Sequence, residues 1–344
     1  MNKTKQTGGL DYFKIIAALL VIAIHTSPLS SLSNEADFVL TGIIARIAVP
    51  FFLMVTGCFL LPRYLFDHTA DQRPLTGYIK KVLCLYLAAI ILYLPLNIYA
   101  RHFEDVNVLD LFRILLFDGT FYHLWYLPAS VMGILLVYLA GRHLPFKAVM
   151  GIAVLLYIAG LLGDSYYGLI ANVPVISNIY NIFFHIFSYT RNGIFYVPVF
   201  LTMGAFLGHS PGQKKQAVTI SCFFVFALLM TAEGLILHFF KIQRHDSMYL
   251  FLLPCMFFLF RFLLSIKHKK AKKLRTIATY IYLIHPFIIA LLHAAARVLR
   301  LEAVFAANSI LYYITVSVLS CAGSILLERF AAHWRHCHAG IEKR

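Results

Sequence analysis

Charge is scarce in this chain: Asp, Glu, Lys and Arg make up 13% of its 344 residues, against 60% that are hydrophobic. So few charges cannot coat a soluble globule of this length, so the main solvent of the folded chain is lipid. Acidic residues are scarcest, 15 against 30 Lys and Arg, which leaves a net charge of +15. The basic residues sit at the ends of apolar runs and form no stripe on a polar face. That placement excludes nucleic acid as a partner and points to membrane topology. Cysteine is sparse too. Cys58, Cys84, Cys222, Cys255 and Cys321 fall in apolar runs, Cys337 lies near the end, and no CxxC pair occurs. Neither disulfides nor a zinc ribbon is expected. Segments of alternating polarity about 10 residues long are missing, which excludes a transmembrane barrel. No fixed-period repeat or low-complexity stretch appears, so a single bundle is expected. The first apolar run lacks a small-x-small cleavage site and carries Lys14 and His25, so it is expected to stay as a spanning helix.

What is present is a succession of apolar runs near the length of about 20 residues that a bilayer core requires. They fall near Leu10–Leu29, Phe38–Leu61, Tyr78–Ile98, Phe121–Ala140, Lys147–Leu162, Gly193–Gly208, Gln216–Phe240, Met248–Ile266, Ile277–His293 and Ser309–Leu327. The expected fold is therefore all-α, a polytopic membrane bundle of about ten transmembrane helices over residues 1–328, with 329–344 as a cytoplasmic tail or linker. With the N-terminus inside, 20 of the 30 Lys and Arg fall on the cytoplasmic side and seven outside, with Lys14, Arg46 and Arg261 within spans. Both termini are thus expected in the cytoplasm. Two long outer loops, Arg101–Gly119 and Gly163–Asn192, are acidic or aromatic enough to pack over a cavity mouth.

Ionisable groups at membrane depth are costly, so each is a candidate site. Lys14 and His25 are 11 residues apart, three helical turns plus about 20°, which puts them on one face about 16 Å apart along the axis. Asp11, Lys14, Ala18, Val21 and His25 then form one stripe, charged at one end and basic at the other. Snorkelling of Lys14 to the headgroups accounts for its charge equally well. Arg46 and Glu233 are expected in the outer half of the bilayer, where a structural ion pair weighs at least as much as a substrate site. His123 and Trp125 fit an outer aromatic belt. His285 precedes Pro286, whose missing N–H frees a carbonyl that a histidine or water can satisfy. His333, His336, Cys337 and His338 resemble a ligand set in composition only, and their spacing assigns no metal.

Four motifs in order give the chain a resemblance to the integral-membrane acyltransferase-3 family. They are Lys14 with His25; Pro50-Phe51-Phe52 followed by Thr56-Gly57; His123-Leu124-Trp125-Tyr126-Leu127; and Tyr282-Leu283-Ile284-His285-Pro286. The resemblance implies transfer of an acyl group from acyl-CoA to an envelope acceptor, with His25 as catalytic base, Lys14 as the basic residue of the same motif, and His123, Trp125 and His285 as motif residues of the substrate site; the buried charges Arg46 and Glu233 are added to that site as candidates. On that reading Lys14, Lys80 and Lys81 hold the acyl-CoA phosphates as point charges, with acetyl-CoA as co-substrate and no tightly bound cofactor. The family's first-helix Arg is Lys14 here, a point charge where a guanidinium would fork. More narrowly, His25-Thr26-Ser27-Pro28, Phe117-Asp118-Gly119-Thr120, Gly163-Asp164-Ser165-Tyr166-Tyr167-Gly168 and Arg191-Asn192-Gly193-Ile194-Phe195 resemble the membrane half of the membrane-bound serine racemases found with vancomycin resistance. No racemase sequence lies within the chain, so no racemisation is expected from it alone. The alternative reading is uptake of L-serine for a fused or associated cytoplasmic racemase, with Arg46 and Glu233 gripping the amino acid. Membrane lipid is the remaining expected partner.

Overall fold

Runs this apolar become helices because lipid offers no hydrogen-bond partner, so each backbone N–H and C=O must be satisfied inside its own segment. The computed structural model describes residues 8–67, 70–104, 106–210, 215–266 and 271–341, with side chains as far as His333. Among these every regular element is helical. The principal helices are α1 (Gly8–Thr26), α2 (Asn34–Leu60), α3 (Arg73–Tyr99), α4 (Tyr126–His143), α5 (Phe146–Leu162), α6 (Pro174–Ile186), α7 (Val197–His209), α8 (Gln216–Phe239), α9 (Leu252–Ser265), α10 (Lys272–Val298) and α11 (Ser309–Ile341). Six of them, α1, α2, α3, α8, α10 and α11, are long and apolar enough to cross a membrane. The other four expected spans, α4, α5, α7 and α9, run for 18, 17, 13 and 14 residues.

Local chemistry explains the shortening. The segment expected from Gly193 becomes helical only at Val197, because the Asn192 side-chain amide oxygen, Oδ1, accepts the N–H groups of Ile194 (2.9 Å) and Phe195 (3.1 Å) and holds a turn there. The segment expected from Met248 begins at Leu252, because the N–H groups of Leu250 and Phe251 are taken by Glu233. Helix α1 stops at Thr26, where Ser27 takes φ 45° and Pro28 follows. Helix α2 is irregular, with a π turn over Phe38–Ile43 and a 3₁₀ turn over Ile44–Ile47 before the α-helix resumes. Pro50 lacks an N–H and its ring crowds the carbonyl four residues earlier, which is that of Arg46. Helix α11 continues past Arg329 to Ile341, so the expected linker begins as helix. No Gly or Pro interrupts it between Gly323 and Gly340. His336, Cys337 and His338 lie outside the described side chains, as do Lys3, Lys5, Lys214, Lys267, Lys269, Lys270, Arg335, Lys343 and Arg344 of the topology count.

The chain divides into two units, residues 1–48 with 263–344 and residues 49–262, the division falling inside α2. In the first unit α1, α10 and α11 pack around Ala18, Ile22, Ala278, Ile281, Ile289 and Val316. Ala18 and Val21, the middle of the stripe read from the sequence, are both buried.

In the second unit α2 and α7 approach at backbone distance. A Cβ added at Gly57 would strike the Leu201 carbonyl, one at Gly204 the Met54 carbonyl, and one at Gly208 the Cys58 carbonyl. Gly204 and Gly208 are four apart, the small-xxx-small spacing that lets two membrane helices touch. Gly204→Leu should therefore force α2 and α7 apart and abolish a monodisperse peak in detergent, whereas Gly151→Leu, with open space at its Cβ, should elute as wild type.

Candidate functional site

Helices α1 and α10 carry the same arrangement of chemistry at matching levels. Each has a cation near its start and a histidine about three turns on, Lys14 and His25 in one and Arg275 and His285 in the other. Their cations share one carboxylate and their imidazoles meet, so the two helices run parallel.

At the first level Asp11 is almost fully enclosed, its side chain 2% exposed. Its Oδ1 accepts from Arg275 Nε at 2.6 Å, and its Oδ2 accepts from Arg275 Nη2 and from the Ala271 N–H, both at 3.0 Å. This is a two-pronged guanidinium–carboxylate contact, the strong geometry for such a pair. Lys14 Nζ lies 3.9 Å from the same carboxylate. Two cations against one anion leave the cluster with a surplus positive charge, and the Arg275 side chain is 37% exposed. That makes the cluster an anchor for α10 on α1 that keeps part of a guanidinium open to the surroundings.

At the second level the His25 and His285 rings stack, with centroids 5.5 Å apart and planes at 25°. His285 is fully buried. Its Nδ1 lies 3.0 Å from the Ile281 carbonyl and 2.9 Å from the Tyr282 carbonyl. Carbonyl oxygens only accept, so Nδ1 carries a hydrogen, and of the two neutral tautomers this geometry selects the one with the lone pair on Nε2. The Tyr282 carbonyl is the one that a helix would otherwise bond to the N–H of residue 286, which Pro286 lacks. The proline thus sets the tautomer of the histidine before it. Beyond His25 the loop is tied to the start of α11. Ser31 and Ser309 bond reciprocally at 2.8–3.1 Å, and Ser309 Oγ donates to the Pro28 carbonyl at 2.7 Å. Arg46 belongs to this unit too, half-buried in the 3₁₀ turn of α2.

The remaining sequence candidates lie in the second unit, each with its own surroundings. Glu233 accepts from Leu250 N–H (2.6 Å), Phe251 N–H (2.9 Å) and Tyr166 O–H (2.7 Å). Its carboxylate therefore satisfies donors at the start of α9, a structural task. His123 is buried among Tyr93, Phe121 and Tyr122, with ring centroids 5.0–5.9 Å away. Trp125 lies 6.1 Å from the Tyr196 ring and under the Arg191 guanidinium at 4.9 Å. Lys80 and Lys81 are exposed on α3.

Two groups escaped the sequence reading. Arg275 counted only toward topology, because it closes a run of lysines; its ten-residue spacing to His285 was the available signal. Asp164, in the loop after α5, is 1% exposed. It accepts from Ser165 Oγ (3.0 Å), Ser247 N–H (2.8 Å), Ser247 Oγ (3.1 Å) and Met248 N–H (3.0 Å), and so binds two distant loops together. Burial pushes its carboxyl above the usual range, against the pull of the Ser247 N–H and of Arg191.

Residues 7–329 match the model of a family described as Acyltransferase domain. Two proteins of Enterococcus faecalis named amino-acid racemase are similar to the chain. One is 40% identical over 329 residues, covering 95% of this chain and 45% of the relative. The other is 39% identical over 321 residues, covering 92% and 45%. A serine/alanine racemase of Enterococcus gallinarum is 37% identical over 341 residues, covering 98% and 48%. The chain thus spans about half the length of the curated relatives it matches. No solved structure matches it.

Proposed function

The chain belongs to the Acyltransferase domain family and is a multi-pass membrane protein, and from that premise we propose that it transfers an acyl group, acetyl in the simplest case, from cytoplasmic acyl-CoA to a hydroxyl acceptor on the outer side. The observation that carries the proposal is the pair of parallel helices with a cation cluster at one level and stacked imidazoles at the other. Lys14 and Arg275 take the phosphates of acyl-CoA, with Asp11 fixing both cations in place. The 11 residues from Lys14 to His25 rise about 16 Å, a distance that a pantetheine arm bridges from its phosphates to the thioester.

His25 acts as general base. It takes the proton of the acceptor hydroxyl as that oxygen attacks the thioester carbonyl carbon, and returns it to the coenzyme A thiolate as the carbon–sulfur bond breaks. The products are an ester and free coenzyme A, so no outside oxidant or further reactant is needed. His285 bounds the face of the His25 ring, and its Nδ1–H is committed to carbonyls. Proteoliposomes loaded with radiolabelled acetyl-CoA test the proposal: label should appear in an added hydroxyl acceptor outside. Label that remains in acetyl-CoA with every envelope acceptor class tried contradicts it.

A second reading is favoured by the names of the relatives, racemases about twice as long as this chain. In it the membrane unit carries L-serine inward to a cytoplasmic racemase, fused or associated, with Arg46 holding the carboxylate. Glu233 suits the ammonium less well, since its oxygens already serve three donors. Uptake of serine that Arg46→Ala abolishes and His25→Ala spares selects this reading.

A further inference from the structure

Helix α6 lies in the long loop after α5, and 100° steps divide its surface into three faces. Tyr180, Phe183 and Phe184 face inward, against Tyr167 and Phe195. Ser177, Asn178, Asn181 and His185 make a polar stripe. Between them Val175, Ile179, Ile182 and Ile186 form a third stripe that lies open among the described residues, with exposures of 74%, 47%, 60% and 51%. A water-facing helix has no reason to line up four β-branched residues.

The depth of α6 identifies the partner. Tyr180 donates to the Ala159 carbonyl at 2.6 Å, and its ring covers Gly163, so the middle of α6 sits at the end of α5. The exposed apolar surface of α5, with Ile152, Leu155 and Ile158, leads up to that level. From Ala171 to Thr190 the chain contains no Lys, Arg, Asp or Glu, so headgroup charge offers this segment little. We propose that α6 is an interfacial helix whose stripe Val175, Ile179, Ile182 and Ile186 inserts among the acyl chains of the leaflet on this loop's side. Its polar stripe faces the headgroups, in the manner of amphipathic helices that lie about 5–10 Å deep in the boundary. Arg244 stacks on Phe184 at 3.6 Å and donates to the Ser188 carbonyl. The lipid-seated helix therefore fixes the loop that carries Arg244 and closes around Asp164 at the membrane surface.

The test places p-benzoylphenylalanine at Ile179 or Ile182, and for comparison at Asn178 or Asn181, in the full chain reconstituted in phosphatidylcholine nanodiscs. After irradiation the intact mass of the Ile179 and Ile182 variants should rise by one phospholipid, while the Asn178 and Asn181 variants show that adduct at background. The yield should be unchanged when half the lipid is phosphatidylglycerol. A cross-linked dimer from Ile182 would overturn the proposal by showing a second copy on this face. So would the absence of a lipid adduct from both isoleucine positions, or equal adducts on the polar stripe.

Discussion

Replacing His25 with Ala should lower acetyl transfer to a hydroxyl acceptor by about 10²- to 10⁴-fold, the usual contribution of a general base, while the protein elutes and melts as wild type. The half-buried ring stacks on His285, so elution and melting read beside transfer separate loss of the proton acceptor from loss of fold. Pro286→Ala acts on the same centre from a distance. It gives residue 286 an N–H that competes for the Tyr282 carbonyl, now 2.9 Å from His285 Nδ1, and so loosens the tautomer. A smaller loss, with a displaced pH–rate profile, is expected. If His25→Ala transfers acetyl at the wild-type rate, the imidazole is not the base.

The second large effect is on stability. Asp11→Ala strips Arg275 and Lys14 of their shared carboxylate and leaves the Ala271 N–H without its acceptor. Breaking a buried pair from one side costs about 3–5 kcal/mol, and solvent around the Arg275 guanidinium brings the expectation to about 3 kcal/mol. Melting in detergent, followed through loss of the monodisperse peak, reads this as a clear fall in midpoint. Arg275→Lys should fall nearly as far, because an ammonium cannot make both prongs. Glu104→Ala is the control: its pair with Arg101 is 3.7 Å long with side chains 62% and 77% exposed, and its removal should leave the midpoint in place. An Asp11→Ala midpoint that matches this control would show that the buried cluster holds nothing together.

Hydropathy located the long helices well, because a long apolar run has few alternatives to helix in lipid. Gln216–Phe240 was expected and α8 is Gln216–Phe239; α11 begins at Ser309 as expected. The ends that moved did so through capping chemistry that hydropathy does not register. Helix α3 begins at Arg73 because Pro74 suits a first turn, and α10 begins at Lys272 because its basic first turn is helical outside the apolar run. The function of a buried acid was hardest to read. A lone Glu233 in an apolar run looks the same whether it binds a substrate ammonium or, as here, the start of another helix. His285 was legible because Pro286 states its own missing donor. Arg275 was not, since its partner Asp11 is 264 residues away and a count of basic residues sees only the side of the membrane. The aromatic loop after α5 was expected to pack over a cavity mouth, and its rings do pack, but on a helix whose other face is bare isoleucine.

The central claim is that the cations at the start of α1 and α10 receive acyl-CoA. Calorimetric titration of acetyl-CoA and of L-serine into the purified protein in detergent tests it most directly, with Lys14→Ala alongside. Saturable binding of acetyl-CoA that Lys14→Ala weakens, with no heat from L-serine, is the predicted result. Binding of L-serine without binding of acetyl-CoA would contradict it and make this chain the delivery half of a racemase.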